Sequence, residues 1–313
     1  MSEWLHGRRR AASNVAMTAP FAHVLTLVAD PARVPLTPAL LGHVQAAVAG
    51  GAPVVLAERE AADIPLPDPE ALAAARAALD GAPIDALVLA AAGRRKRLLI
   101  ADMDSTIVTG ETLDELADCA GLKAPIAAIT RRSMNGEIDF ATALRERVGM
   151  LRGLKLAALE ATWARVRLTP GARELVATMR AHGAFTALVS GGFTFFTGRV
   201  AALVGFDLHR SNVLEHDGTA LTGTVAEPIL DRDAKRATLR ALCAEHGLAA
   251  HETLAVGDGA NDLAMLREAG LGVAFRAKPV VAAEAKARVD HASLRALLFV
   301  QGYRAEEIVS GMD

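Results

Sequence analysis

Cysteine is almost missing from this chain. Its 313 residues hold two, Cys119 and Cys243, far apart and in no CxxC pair. That excludes a disulfide framework and suits two reduced thiols in a cytoplasmic protein. No apolar run approaches the length of a membrane span, which argues against a membrane partner. The formal net charge is −2, and no basic field covers the chain, which argues against nucleic acid as the main partner. The N-terminal stretch MSEWLHGRRRAASNVAMTAP is basic but lacks the hydrophobic segment a secretory signal needs. Residues 1–20 read as a mobile tail. What is present is a 52 % hydrophobic, alanine-rich composition with 22 % charged residues. It suits a globular protein with a substantial core, many helices and room for more than one domain.

The pattern along the chain divides near residue 93. HVLTLVAD reads as a strand and TPALLGHVQAAVAGG as a helix. PVVLAE, ADIPL, PDPEALAAARAALDG and IDALVLAAA continue the order, giving β-α-β-β-α-β over residues 21–93. GRRKR marks the boundary. From 94 to 313 the pattern changes to α/β: RLLIAD, FTALVSG, TLAVGDG and AGLGVAF are short apolar runs separated by helices, as in a Rossmann-like parallel sheet. Residues 109–168 read as a mostly helical cap inserted after the first strand of that sheet. SNVLEHDGTALTGTV reads as a hairpin around Asp217-Gly218.

Chemistry gathers where those apolar runs end, because ligands bind beyond the carboxyl ends of parallel strands. Asp102 and Asp104 follow the first run. Alternation in extended backbone points both to one side. One aspartate would be an ordinary turn cap, but two adjacent carboxylates repel unless a cation lies between them. Mg²⁺ suits that place, because it takes one or two carboxylates together with phosphate oxygens. A second acidic cluster, Asp258, Asn261 and Asp262, follows TLAVG. Ser190 with Gly191-Gly192 follows a third run and offers backbone N–H groups to an oxyanion. Lys235 sits near the start of a later helix.

These four elements in this order resemble the haloacid dehalogenase superfamily of phosphotransferases, over residues 97–290. The resemblance implies Asp102 as nucleophile and Asp104 as general acid/base. It implies Ser190, Gly191, Lys235 and Asn261 around the substrate. Asp102, Asp258 and the backbone carbonyl of Asp104 become the Mg²⁺ ligands, with Asp262 supporting them. A carboxylate attacks a dianionic phosphate ester poorly unless cations offset the charge. The N-terminal unit resembles the ACT-like fold by element order only. Its first strand-helix turn, ADPARVPLTP, lacks the glycine of the amino-acid-binding members, so a structural or dimerising role is expected, with a homodimer through its edge strands.

The cap sets the substrate. TLDE at 112–115 fits a capping box, Thr112 to Glu115, which leaves Glu111 outside the helix and facing the acidic pair. On the helix DFATALRERVGML, Phe140, Leu144, Arg147 and Leu151 share one face at 100° per residue. Arg147 therefore needs a partner: a carboxylate within the cap, such as Glu111, or a substrate carboxylate. Glu111 would take an ammonium. Glu111, Met134, Phe140 and Arg147 resemble the cap residues of phosphoserine phosphatases. The implied activity is Mg²⁺-dependent hydrolysis of O-phospho-L-serine through an aspartyl-phosphate. The alternatives are action on another phosphorylated amino acid, such as phosphothreonine or homoserine phosphate, or a regulatory amino-acid-binding role.

Overall fold

The computed structural model describes residues 21–134 and 137–311. The expected tail, residues 1–20, lies outside the described residues.

The N-terminal unit follows the expected order: β1 (His23–Ala29), α1 (Pro38–Ala47), β2 (Val54–Ala57), β3 (Ala61–Leu66), α2 (Leu72–Leu79) and β4 (Ile84–Ala90). Its sheet is antiparallel, in the order β2-β3-β1-β4. Thr37 caps α1 by accepting from the Leu40 N–H, and Pro38 starts it with its φ already fixed. β1 is apolar on both faces for a reason. Leu25 and Leu27 pack under the two helices, while Val28 joins the core that contains Leu297, Leu298 and Phe299 from the chain's far end.

That second contact joins the N-terminal unit to the larger one. Asp85 is buried and accepts from the N–H groups of Asp290, His291 and Ala292 at 2.7–3.3 Å. Arg94 leaves the linker to pair with Asp63 and to donate to Thr26 Oγ1 and to the carbonyls of Phe299 and Val300. Glu60 accepts two bonds from Arg295 at 2.9 Å.

The larger unit is built on a six-stranded parallel sheet ordered β12-β11-β10-β5-β6-β7. Its strands are β5 (Leu98–Ala101), β6 (Phe185–Phe193), β7 (Leu208–Asn212), β10 (Thr253–Gly257), β11 (Leu271–Phe275) and β12 (Ala287–Val289). Alternation shows directly. Leu98, Ile100, Ala187 and Val189 enter the core on one face, and Leu99, Ala101, Leu188 and Leu254 the core on the other. The hairpin is β8 (Leu214–His216) with β9 (Leu221–Val225). β7 (LHRSN) and β12 (ARV) escape sequence reading because they are short, partly polar edge strands.

Between β5 and β6 come α3 (Thr112–Cys119), α4 (Lys123–Met134), α5 (Phe140–Met150), α6 (Ala157–Trp163) and α7 (Ala172–Ala181). A single antiparallel bridge, Val108 with Leu168, closes the base of the insertion. The remaining helices are α8 (Thr194–Val204), α9 (Arg232–His246), α10 (Leu263–Glu268), α11 (Pro279–Glu284) and α12 (Ala296–Phe299). No described helix is long and apolar enough to cross a membrane. Chain order reverses around β5, which has β6 on one side and β10 on the other. The carboxyl ends of β5, β6 and β10 therefore lie side by side.

Candidate active site

The acidic pair sits where expected and is shaped by its own loop. The Asp102 N–H still donates to Val256 O at 3.0 Å, so pairing with β10 persists one residue past β5. The chain then turns sharply, with Ser105 at φ +54°, a left-handed conformation uncommon for a residue with a side chain. Asp102 is 5 % exposed, and Asp104 is half-buried beside it.

The capping box does not form. Thr112 is already the first helical residue of α3, and Glu111 holds the cap position with no side-chain cap bond. Asp104 serves instead, its Oδ1 accepting from the Thr112 N–H at 2.9 Å. A helix N-terminus offers free N–H groups to whichever acceptor reaches them, and the turn brings Asp104 there first. Glu111 does face the acidic pair, and its Oε1 accepts from Ser105 Oγ at 2.9 Å.

Lys235 lies in the first turn of α9, which Asp231 caps. It is 1 % exposed, with Nζ 2.6 Å from both Asp102 Oδ1 and Asp262 Oδ1. Asp262 uses its other oxygen to accept from the Gly259 N–H at 3.0 Å. Both of its oxygens are engaged, so Asp262 holds Lys235 and the loop after β10. Gly257 permits this approach, because a Cβ there would stand 2.4 Å from the Asp262 carboxyl carbon.

Ser190, expected just beyond a strand, lies inside one: β6 runs on to Phe193, with its pairing interrupted between Val189 and Phe193. Ser190 Oγ accepts from the Gly192 N–H at 2.9 Å. A Cβ on Gly192 would come 3.0 Å from Asp104 Oδ2, which places this turn against the acidic pair. The Gly191 carbonyl accepts from Asn212 Nδ2 at 2.8 Å, and Asn212 Oδ1 accepts from the Leu230 N–H at 2.7 Å. Asn212, buried on β7, thus ties the Ser-Gly-Gly turn to the segment leading into α9. Nothing in the SNVLEH sequence marks it. Asn261 lies in the short turn after β10, its Oδ1 close against Gly259.

The cap reaches this turn. Phe140 of α5 stands so close to Gly191 that a Cβ there would be 3.2 Å from its ring. Arg147, two turns further along the same face of α5, is half-buried and, among the described residues, donates to its own helix, from Nε to Ala143 O at 3.2 Å. Among the described residues no carboxylate pairs with it within ion-pair distance. Burial pulls its pKa down, and the nearby Asp114 and Glu111 carboxylates oppose that. The side chain of Met134, at the end of α4, lies outside the described residues.

Buried charge explains what the site needs. Carboxylate oxygens of Asp102, Asp258 and Asp262 lie within 4.8 Å of one another. Three carboxylates meet one buried ammonium, Lys235, and one half-exposed one, Lys278 beside Asp258, so negative charge is still in excess. Burial pushes Asp102 well above the usual carboxylate range, the Asp262 carboxylate adds to this, and Lys235 opposes it. Burial also raises Asp258 to about 6, against the pull of Lys278. Asp104 is raised to about 7 by burial and by Glu111. A divalent cation among these oxygens fits both the donor set and the missing charge.

One cation escaped the sequence reading. Lys278, just past β11, places Nζ 3.3 Å from Asp258 Oδ2 and 3.4 Å from Glu111 Oε1. AGLGVAF put it near the sheet edge, but nothing local in the sequence says that it meets these two acids.

A parallel sheet with buried carboxylates at its carboxyl edge, next to a helical insertion, makes a hydrolase site whose acids could hold a metal ion. Residues 96–270 match the haloacid dehalogenase-like hydrolase family, and the chain belongs to it. It is similar to a phosphoserine phosphatase of Polaromonas sp., with 44 % identity over 208 residues, covering 64 % of this chain and 88 % of the relative. It is also similar to a phosphoserine phosphatase of Streptomyces coelicolor, with 42 % identity over 240 residues, covering 76 % of this chain and 58 % of that longer relative. Among solved structures, a HAD family hydrolase of Salmonella enterica superposes with a TM-score of 0.79 at 30 % identity, covering 89 % of this chain and 97 % of the other.

Proposed function

We propose that this protein hydrolyses O-phospho-L-serine to L-serine and phosphate, and that Asp102, Asp104, Ser190, Lys235 and Asp258 carry the reaction. The observation that supports the substrate most directly is Arg147. Its half-buried guanidinium pairs with no carboxylate among the described residues, and Glu111 is near enough to act on its charge. An ester with both an α-carboxylate and an α-ammonium satisfies both charges. Phe140 would pack against its short side chain.

Asp102 attacks phosphorus and the bond to the serine oxygen breaks, leaving an aspartyl-phosphate. Asp104, raised to about 7, delivers a proton to the departing alkoxide. It then takes a proton from the water that cleaves the aspartyl-phosphate. Ser190, the Gly191-Gly192 turn and Lys235 hold the phosphoryl oxygens. Asp102, Asp258 and the Asp104 carbonyl would hold Mg²⁺, which when bound neutralises charge on the phosphoryl group. Asp262 keeps Lys235 and the Asp258 loop in place. In this reading residues 94–313 form the phosphatase domain, with 109–168 its cap, and residues 21–93 a separate domain. β2, an edge strand with Val54 and Val55 exposed, is where a homodimer would form.

Arg147→Ala tests the substrate assignment. It should raise KM for O-phosphoserine roughly 100-fold, the scale of one charged pair. It should leave O-phosphoethanolamine, which lacks the carboxylate, nearly unchanged. Equal losses on both esters would count against the assignment. Faster release from phosphothreonine or homoserine phosphate in a panel with Mg²⁺ would replace it.

A further inference from the structure

Lys278 belongs to none of the motifs that mark the site, yet it touches two of the site's acids. It caps α11, where Pro279 begins the helix. Its own N–H donates to Asp258 O at 3.0 Å, which fixes its backbone to the loop after β10. From there its side chain returns across the site mouth to Glu111 Oε1 and Asp258 Oδ2.

Two features separate it from Lys235. Lys235 is sealed in and bonded at 2.6 Å to each partner. Lys278 is 48 % exposed and stands 3.3 and 3.4 Å from its partners. A compact ammonium on a flexible four-carbon stem, held loosely and open to water, moves aside at little cost. The oxygen it holds on Glu111 is the one that also accepts from Ser105. The acid that would receive a substrate ammonium thus already has one beside it.

We propose that Lys278 is a specificity residue acting through Glu111. Its ammonium stands in for that of an amino-acid phosphate ester and withdraws when such an ester binds. This rests on the assignment of Glu111 above. Exchanging one ammonium for another is nearly neutral, so Lys278 limits how strongly Glu111 selects for an amine. It also spares the site an unpaired carboxylate when an ester without an amine enters. Removing Lys278 leaves Glu111 unpaired unless the ester supplies the cation, so selectivity for the amine rises.

The test compares O-phospho-L-serine with its deaminated analogue, 3-phosphonooxypropanoate, in the full chain with Mg²⁺. Lys278→Met should raise the ratio of kcat/KM for the two esters about tenfold, with the change in KM and little in kcat. Lys278→Arg, which keeps the charge, should stay near the wild-type ratio. In a Glu111→Gln background, Lys278→Met should change the ratio no further. An unchanged ratio in Lys278→Met overturns the proposal. So does an equal loss on both esters, or a change that persists without Glu111. A wild type that hydrolyses neither ester sinks the phosphoserine assignment itself. That result differs from an active wild type whose ratio ignores Lys278.

Discussion

Asp104 shows how much one side chain can be asked to do. Its Oδ1 ends α3 by accepting from Thr112, its Oδ2 lies against Gly192, and burial with Glu111 nearby raises it to about 7. A carboxyl that keeps its proton near neutrality can act as an acid first and a base afterwards. The same shifts bear on stability. Asp104 at about 7 and Asp258 at about 6 bind protons in the folded, ion-free protein that the unfolded chain, near 3.8, has released. Their contribution is fully present below about pH 4 and is lost as pH rises through 6 and 7. A bound cation reverses this by favouring the ionised forms. The increase in Tm produced by Mg²⁺ should therefore be larger at pH 7.5 than at pH 5, by several degrees in differential scanning calorimetry. An increase that shrinks with pH would contradict the carboxylate site. Asp102→Asn should lower turnover by on the order of 10⁴-fold or more while the melting transition persists. Ordinary phosphate release by that variant would exclude Asp102 as nucleophile.

At the scale of elements, the site depends on how its helices begin. α5 carries Phe140 and Arg147, and Asp139 caps it by accepting from the Thr142 N–H at 2.8 Å. Asp139→Ala should cost about 1 kcal/mol, or roughly 2 °C in Tm for a chain of this size. The frayed first turn should raise KM for the ester more than it lowers kcat. A variant with normal KM would mean that α5 is held by packing alone. The capping box failed at this same scale. TLDE carries a correct local signal, but a carboxylate eight residues earlier arrives from the β5 turn and takes the N–H first. Similarly, β6 runs through Ser190 because β7 pairs with Phe193 beyond the interruption, a contact that no local pattern announces.

Across the whole molecule, the N-terminal unit is fastened to the larger one by buried polar groups as well as apolar contact. Asp85 alone satisfies three backbone N–H groups of the segment after β12. Asp85→Ala would leave those donors without an acceptor, at about 2–4 kcal/mol. Calorimetry should show the main transition lowered by roughly 5 °C or more, or split in two, with kcat unchanged because no site residue moves. A single unshifted transition would mean that the interface adds little to stability.

How much could be read in advance follows from what each signal depends on. That Asp102, Asp104, Ser190 and Asp258 gather was legible because each ends or follows a short buried run, and a parallel sheet sends such ends to one edge; Lys235, in the first turn of a helix, was legible only through its order among these motifs. The β-α-β-β-α-β order and the helical insertion were legible because hydrophobic period is a local property of the chain. Which acid caps α3, which oxygens of Asp262 are used, that Asn212 ties two loops, and that no described carboxylate pairs with Arg147 depend on groups far apart in sequence. Lys278 is the clearest case. In AFRAKPVV it looks like a solvated lysine before a proline, and only the meeting of β10, β11 and the β5 turn places it between Glu111 and Asp258. Sequence alone determined the chemistry available at the sheet edge, because strand ends and residue types are written locally. The tertiary structure decided which charges find partners and which are left for a ligand, because pairing is settled by distance in space.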